Sequence, residues 1–240
     1  MRLLDLVTAR ACEAALKDGF RYLWINSCCI DKTSSSELSE SINSMFAWYC
    51  DAAVCYAFLS DVPTLPAPAL RAQGSSFRSS VWFTRGWTLQ ELIAPARLVF
   101  FSRAWEPLGT KAGLAALVEE ITGIPISVLT QGGGDRGLHP SLDECSVAQR
   151  MSWAANRTTT KVEDQAYSLL GIFDIQMSTL YGEGGRAFRR LQEELLRRIP
   201  DQSIFAWGPV YPDALPQLAT PPDPDIKTSG TEMLPKHLPS

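Results

Sequence analysis

The sequence predicts an α/β fold, a parallel sheet flanked by helices, followed by an α-helical half and a disordered C-terminal tail. Three observations predict it. Up to residue 105, amphipathic helical segments alternate with continuous apolar runs that carry no hairpin turn signal, as buried parallel strands do. From residue 106 the apolar spacing is helical. From Pro209 to the end lie eight of the 16 prolines among few large apolar residues, a composition that cannot bury a core. The expected organisation is one domain over residues 1–208, its α/β half at 1–105 and its helical half at 106–208, with a Pro-rich tail at 209–240.

The elements follow in order. Residues 2–17 place Leu3, Leu6 or Val7, Ala11 and Ala14 on one helical face, and Asp18 with Gly19 stops the helix. Residues 21–25 form a short aromatic-rich apolar run between polar residues, which reads as a buried strand. A polar stretch from Asp31 to Glu37 leads into a second helix, with Leu38, Ile42, Met45 and Tyr49 at helical spacing. Residues 53–59 read as a second strand. After a loop rich in Pro, Ser and Arg, residues 88–93 form a short helix that ends before Pro95, and residues 97–101 form a third strand. Helices are expected at 111–121, 146–155, 162–170 and 186–198, and a last apolar run at 203–207.

Composition removes several classes of function. A net charge of -4 and a pI near 5.3 argue against a chain built to neutralise nucleic-acid phosphates. The two histidines, His139 and His237, lie beside a Gly-rich stretch and in the Pro-rich tail, where nothing holds an imidazole rigid, so histidine catalysis is not expected. No metal site is expected either, because the six cysteines include no C-x-x-C pair. The N-terminus has no uninterrupted apolar stretch of a signal peptide, and no segment reaches the ~18 apolar residues of a membrane span. The chain reads as cytoplasmic with reduced thiols.

In an open parallel sheet, ligands bind outside the carboxyl ends of the strands. That rule singles out Asn26 and Asp31 after the first predicted strand, and the segment from Ser60 to Glu91 after the second. Residues 77–92 hold four aromatics and two arginines around a helix start, and Trp87 and Glu91 share a face at i, i+4. An indole beside a carboxylate stacks a planar ring and holds sugar hydroxyls. On spacing alone, the pair reads as a core anchor beside a solvated charge, and Asp31 as a helix cap. Cys28 and Cys29 have no nearby histidine to activate a thiol, and Gly132 to Gly134 lacks the Lys-Ser/Thr of a phosphate loop.

Longer motifs resemble a known family. The runs Leu23-Trp-Ile-Asn-Ser-Cys-Cys-Ile-Asp-Lys32, Glu37-Leu-Ser-Glu-Ser-Ile-Asn-Ser-Met45 and Trp82-Phe-Thr-Arg-Gly-Trp-Thr-Leu-Gln-Glu-Leu92 closely resemble the three signature blocks of the fungal heterokaryon-incompatibility (HET) domain. Arg150-Met-Ser-Trp-Ala-Ala-Asn-Arg-Thr-Thr-Thr160, Glu163-Asp-Gln-Ala-Tyr-Ser-Leu-Leu-Gly-Ile172, Leu180-Tyr-Gly-Glu-Gly184 and Asp201-Gln-Ser-Ile-Phe-Ala-Trp207 are similar to its later blocks. The resemblance spans residues 10–208 and implies a role in fungal self/non-self recognition, in which the domain triggers cell death when a sensor or NLR-type partner activates it.

Residues 20–101 also resemble, more distantly, the middle of a Toll/interleukin-receptor (TIR) domain. There the glutamate of a W-x-x-x-E helix is catalytic in NAD-cleaving members, and Trp87 and Glu91 fall on that motif. The resemblance implies a TIR-like sheet, NAD as substrate with no bound cofactor, and Glu91 as catalytic residue. Trp82 and Trp87 are then expected to stack a base, and Arg85 to meet the pyrophosphate. In the helical half, Arg150, Arg157, Glu163, Asp164 and Tyr167 are expected to form a buried ion-pair network, the alternative being Arg150 or Arg157 reaching an anionic ligand. HET domains usually open with a strand carrying a Tyr-x-x-Leu-Ser-His-x-Trp block, and Met1 opens almost directly in the first helix. The resemblance therefore implies a sheet that lacks its first strand and an edge open to self-association. Two further readings stand beside the enzyme: a non-enzymatic death-signalling adaptor and an inactive fragment.

Overall fold

The computed structural model describes residues 3–131 and 140–205. His139, His237, Trp207, the glycines from Gly132 to Gly137 and the Pro-rich tail lie outside the described residues. The chain begins with helix α1 (Leu3–Lys17) and helix α2 (Ser35–Asp51), then strand β1 (Cys55–Phe58) and the short helix α3 (Ala67–Arg71). A 3₁₀ turn (Val81–Thr84) leads into α4 (Thr88–Ile93), β2 (Leu98–Phe101) and β3 (Pro107–Thr110). Then come α5 (Ala115–Thr122), α6 (Ile126–Thr130), α7 (Pro140–Asp143), α8 (Val147–Ser152), α9 (Asp164–Tyr167) and α10 (Arg186–Arg198).

Ser34 caps α2, its hydroxyl accepting from the Glu37 amide at 3.3 Å, which satisfies one of the free N–H groups of the first turn. The α2 face that the 3.6-residue period marks, Ile42, Met45 and Tyr49, is buried, and Phe46 joins it. Gly171 lies so close to α2 that a Cβ there would stand 2.1 Å from the Phe46 Cβ. Apolar residues of the α/β and helical segments belong to one continuous core, from Ile30 to Ile204.

The sheet is mixed, with three strands in the order β1-β2-β3. β1 runs parallel to β2, Cys55 opposite Leu98 and Phe58 opposite Phe101, as the sequence leads one to expect. β3 is antiparallel to β2, in a stretch with no hairpin signal. The turn between them uses Trp105 at φ 59 where a glycine is usual. Its indole stacks on Phe58 at 4.7 Å and tilts against Phe101 at 5.6 Å, and these contacts offset the backbone strain. The Ser102 hydroxyl accepts from the amides of Ala104 and Glu106 and closes the turn.

Residues 21–25 are not a strand. The chain turns at once, the Ile25 carbonyl accepting from the amides of Cys28 and Cys29, and Trp24 packs edge-on against Trp48 at 5.4 Å and Tyr49 at 5.8 Å. A five-residue apolar run looks the same in sequence whether it is buried in a sheet or against a helix. The expected helix at 111–121 starts four residues later because Lys111 is committed elsewhere. Its side chain is fully buried, and Nζ donates to the carbonyls of Leu92 (3.1 Å), Ile93 (3.3 Å) and Pro95 (2.7 Å) at the end of α4. An ammonium there answers three carbonyls that the helix leaves unpaired and complements its dipole. Burial lowers the Lys111 amine to about 8, so it is charged at neutral pH.

Two stability outcomes follow. Lys111→Met, which leaves those carbonyls without donors, is expected to lower the unfolding free energy by about 2–4 kcal/mol in urea titrations. Gly171→Ala is expected to lower it by about 1–3 kcal/mol, because the new methyl group must displace Phe46.

Candidate functional site

The segment that carries the Trp and Glu motif is fastened from both sides. Asp61 accepts from the Ser80 hydroxyl and the Val81 amide, both at 2.8 Å, and the Ser80 hydroxyl caps the 3₁₀ turn by accepting from the Trp82 amide. Trp82 is buried edge-on to Phe83 and Phe100, at 5.3 and 5.6 Å. Thr84 and Gly86 exchange backbone hydrogen bonds with Thr158 at 2.7 and 2.8 Å, which joins this segment to the helical half. Gly86 makes room for this approach: a Cβ would meet Thr159 Cγ2 at 2.4 Å, so a larger residue would have to displace the Thr159 side chain. The Thr88 hydroxyl donates to the Trp82 carbonyl at 2.5 Å and accepts from Arg157 at 3.0 Å, so α4 leaves the turn at a set angle.

Glu91 is half-buried one turn into α4. Its Oε1 accepts from the Tyr49 hydroxyl at 3.3 Å, and the Trp82 indole also bonds the carboxylate. Burial pushes its carboxyl up to about 7, against the pull of Arg85, Tyr49, Arg157 and Trp82. No cation pairs directly with it among the described residues. Burial first and the Glu91 charge second push the Cys55 thiol up. Cys55 is the first residue of β1, so Glu91 lies toward the amino ends of the parallel pair and not at the carboxyl-end crevice that the strand rule singles out. The reason is that α4 leads directly into β2, and one turn of helix carries Glu91 back no further than the start of that strand.

The expected substrate residues are only partly brought together. Trp82 touches Glu91, Arg85 is exposed and acts on it through charge, and Trp87 is half-buried at the N-terminal end of α4. Asn26, half-buried, follows Trp24, which touches Glu91's partner Tyr49. Asp31 stays apart. It is exposed, its carboxylate accepts from the Thr33 amide (2.8 Å) and hydroxyl (2.6 Å), and these bonds hold it below the usual carboxylate range. It shapes the approach to α2 while Ser34 makes the cap.

The five residues expected as an ion-pair network do not pair with one another, and each bonds backbone groups or other side chains. Arg157, 9% exposed, donates to the carbonyls of Trp153 (3.0 Å) and Arg85 (2.9 Å) and to Thr88. Arg150 donates to the carbonyls of Cys145 (3.0 Å) and Ile172 (3.1 Å) and lies over the Phe173 ring. Glu163 accepts from the amides of Gly182 and Gly184, Asp164 from the Tyr181 hydroxyl, and Tyr167 donates to Glu183. The arginines and the acids do not meet because loop carbonyls and amides nearer to each need partners first. Two cavities, of about 190 and 180 Å³, flank Arg157, and Glu91 lines neither.

The sequence did not mark Tyr49 as a site residue, although its place on the buried face of α2 carried a signal: a phenol in a core must find an acceptor. Lys111 had no comparable signal, since its three partners are carbonyls.

The sequence comparisons place the class: the chain belongs to the heterokaryon-incompatibility (HET) family. The family model described as heterokaryon incompatibility protein (HET) matches residues 3–71, and a domain of unknown function (DUF8212) matches residues 186–236. The chain is similar to the vegetative incompatibility protein HET-E-1 of Podospora anserina, 46% identical over 186 residues. That match takes in 76% of this chain and 13% of the relative's length. No solved structure matches. Among the described residues, no helix is long and apolar enough to cross a membrane.

The raised carboxyl has a measurable consequence. The folded state keeps the Glu91 proton up to about pH 7, whereas the unfolded chain releases it near 4.5. The stability that the protonated form contributes is complete below the lower value and lost as pH rises through the upper one. Glu91→Gln is therefore expected to gain stability relative to the natural chain between pH 5 and pH 8, read as the difference in melting temperature. A difference that does not change with pH would show an ordinary carboxyl.

Proposed function

We propose that this domain is a cell-death effector of fungal self/non-self recognition that cleaves the nicotinamide–ribose bond of NAD, with Glu91 stabilising the transition state. The observation that carries this reading is a half-buried carboxylate with no ion-pair partner, held by Tyr49 and Trp82 and faced at longer range by Arg85 and Arg157. In NAD the leaving group is already cationic. The C1′–N bond breaks, its electron pair goes to the ring nitrogen to give neutral nicotinamide, and positive charge develops on the ribose. A fixed carboxylate stabilises that charge without histidine or metal. Water then bonds C1′ and releases a proton to solvent or to Glu91. The order α2, β1, α4, β2, with Trp87 and Glu91 on α4, supports the TIR-like comparison.

Within this reading Trp87 is the stacking residue, since Trp82 spends its faces and edges on Phe83 and Phe100. Arg85 is exposed and free to meet the pyrophosphate, and Asn26 offers an amide to the ribose hydroxyls. Asp31 is the weakest of the set, its carboxylate being engaged by Thr33. The chain spans about an eighth of the relative it matches, and a sensor or NLR-type region elsewhere is the proposed activator.

A second reading, signalling by self-association without catalysis, is favoured by the exposed apolar side chains Leu16, Tyr22 and Phe205. Incubation of the purified chain with NAD separates the two. Nicotinamide release is expected to rise with pH through about 7 as Glu91 ionises. Glu91→Gln is expected to reduce it by about 10²–10³-fold, the usual loss when one preorganised electrostatic group is removed. Release that is unchanged in Glu91→Gln would remove the catalytic assignment. Concentration-dependent oligomers with toxicity indifferent to that substitution would establish the second reading.

A further inference from the structure

The larger of the two cavities beside Arg157 is independent of Glu91, which does not line it. It has a volume of about 190 Å³ and lies where Gly86 of the α/β half meets Thr159, the end of α9 and α10 of the helical half. Met151, Ala154, Leu169 and Phe188 give it apolar walls. A dry cavity of about 150 Å³ holds a benzene ring, and a water takes some 30 Å³. The space here therefore suits one six-membered ring with a small substituent. The Met151 thioether and the Phe188 ring favour an aromatic face over a saturated one.

The polar groups on the walls decide the substituent. Ser168 is 2% exposed, its amide donates to the Asp164 carbonyl, and its carbonyl accepts from the Gln90 side chain at 2.8 Å. Its hydroxyl has no hydrogen-bond partner among the described residues. That hydroxyl is not sealed in the protein as Gln90 Oε1 is, and it stands beside Gly86 on the cavity wall. A hydroxyl so deeply placed is costly to leave unanswered. Gln165, also on the wall, is exposed and brings an amide that both donates and accepts.

The other polar residues there are engaged. The Thr159 hydroxyl donates to the Lys161 carbonyl at 2.6 Å. Arg157 bonds Trp153, Arg85 and Thr88 through Nε and one terminal nitrogen, and its other terminal nitrogen is closed off within the protein. An anionic ligand would thus lose its water and find no cation to pair with. A neutral group answers the walls better. A carboxamide carries its donor and its acceptor on separate atoms, so it meets Ser168 and Gln165 at once.

We propose that this cavity binds a neutral aromatic carboxamide, its ring between Met151 and Phe188 and its amide against Ser168 and Gln165.

The test is an NMR titration of the whole chain, isotope-labelled at the methionine methyl groups, with benzamide. The Met151 signal is assigned by its loss in Met151→Leu. A saturable shift of the Met151 methyl is expected at about millimolar benzamide, the range open to so small a ligand, while Met45, which does not line the cavity, stays unmoved. Benzoate, of the same shape but charged, and cyclohexanecarboxamide, which lacks the aromatic face, are expected to bind more weakly. Ser168→Ala removes one oxygen and Gln165→Ala changes an exposed side chain. Each is expected to weaken binding by about three- to tenfold with its melting temperature nearly kept. Ala154→Leu, which fills the cavity, is expected to abolish the shift. No saturable Met151 shift up to the solubility limit of benzamide, either control ligand binding as tightly as benzamide, or an affinity unchanged in both Ser168→Ala and Gln165→Ala would overturn the proposal. Glu91→Gln is expected to bind benzamide as the natural chain does, so failure of this site and failure of the catalytic reading are distinguishable.

Discussion

Helix α4 is held at both ends by buried cations, and the rest of the candidate site depends on that. At its N-terminal end Arg157 joins the Arg85 carbonyl and the Thr88 hydroxyl. At its C-terminal end Lys111 joins three carbonyls, and between them the Gln90 amide donates to the Ser168 carbonyl at 2.8 Å. Six residues of isolated helix would not persist in water, because nucleation costs more than so few hydrogen bonds return. The cations supply what the helix cannot: Lys111 comes from just beyond β3 and Arg157 from beyond α8, so α4 of the α/β half is held by two side chains of the helical half. Removing water from a cation is costly, and hydrogen bonds to several carbonyls are what offset it.

Glu91 takes its character from this frame. Burial raises its carboxyl, while Arg85 and Arg157 favour the ionised form without touching it. The result is a carboxyl poised near neutral pH. A direct ion pair would hold it ionised and occupied; the observed spacing leaves it able to meet a developing positive charge. Arg157 also lines two cavities while its charge acts on Glu91.

The helical half repeats the theme with opposite charges. Glu163 holds the amides of Gly182 and Gly184, and Tyr167 accepts from the Leu180 amide while donating to Glu183, which also pairs with Arg190 at 2.7 Å. Buried charge in this protein organises irregular backbone. The long connections between short elements carry many amides and carbonyls that no helix or sheet satisfies, and side chains answer them.

Much was legible before the structure. Ile42, Met45 and Tyr49 marked the buried face of α2, the apolar runs before Leu59 and up to Phe101 marked the parallel pair, and the Trp87 and Glu91 spacing marked α4. The signals that failed were those whose meaning lies in a distant partner. Trp24 read as part of a strand because apolar character does not say what covers it, and β3 was missed because Trp105 does the work of a turn glycine only when Phe58 is there to stack on. By itself the sequence marked α1, α2, α4, α5, α8, α9 and α10 but not the short α3, α6 and α7, together with the β1 and β2 pairing and the family motifs, because periodicity and local spacing are properties of neighbouring residues. Only the tertiary structure decided that Arg157 and Lys111 bind carbonyls and not acids, that Asp31 stands apart, and that Glu91 lies at the amino ends of the strands. The ties from Lys111 and Arg157 to α4 run across 16 to 72 residues, which only the folded core brings within hydrogen-bond reach.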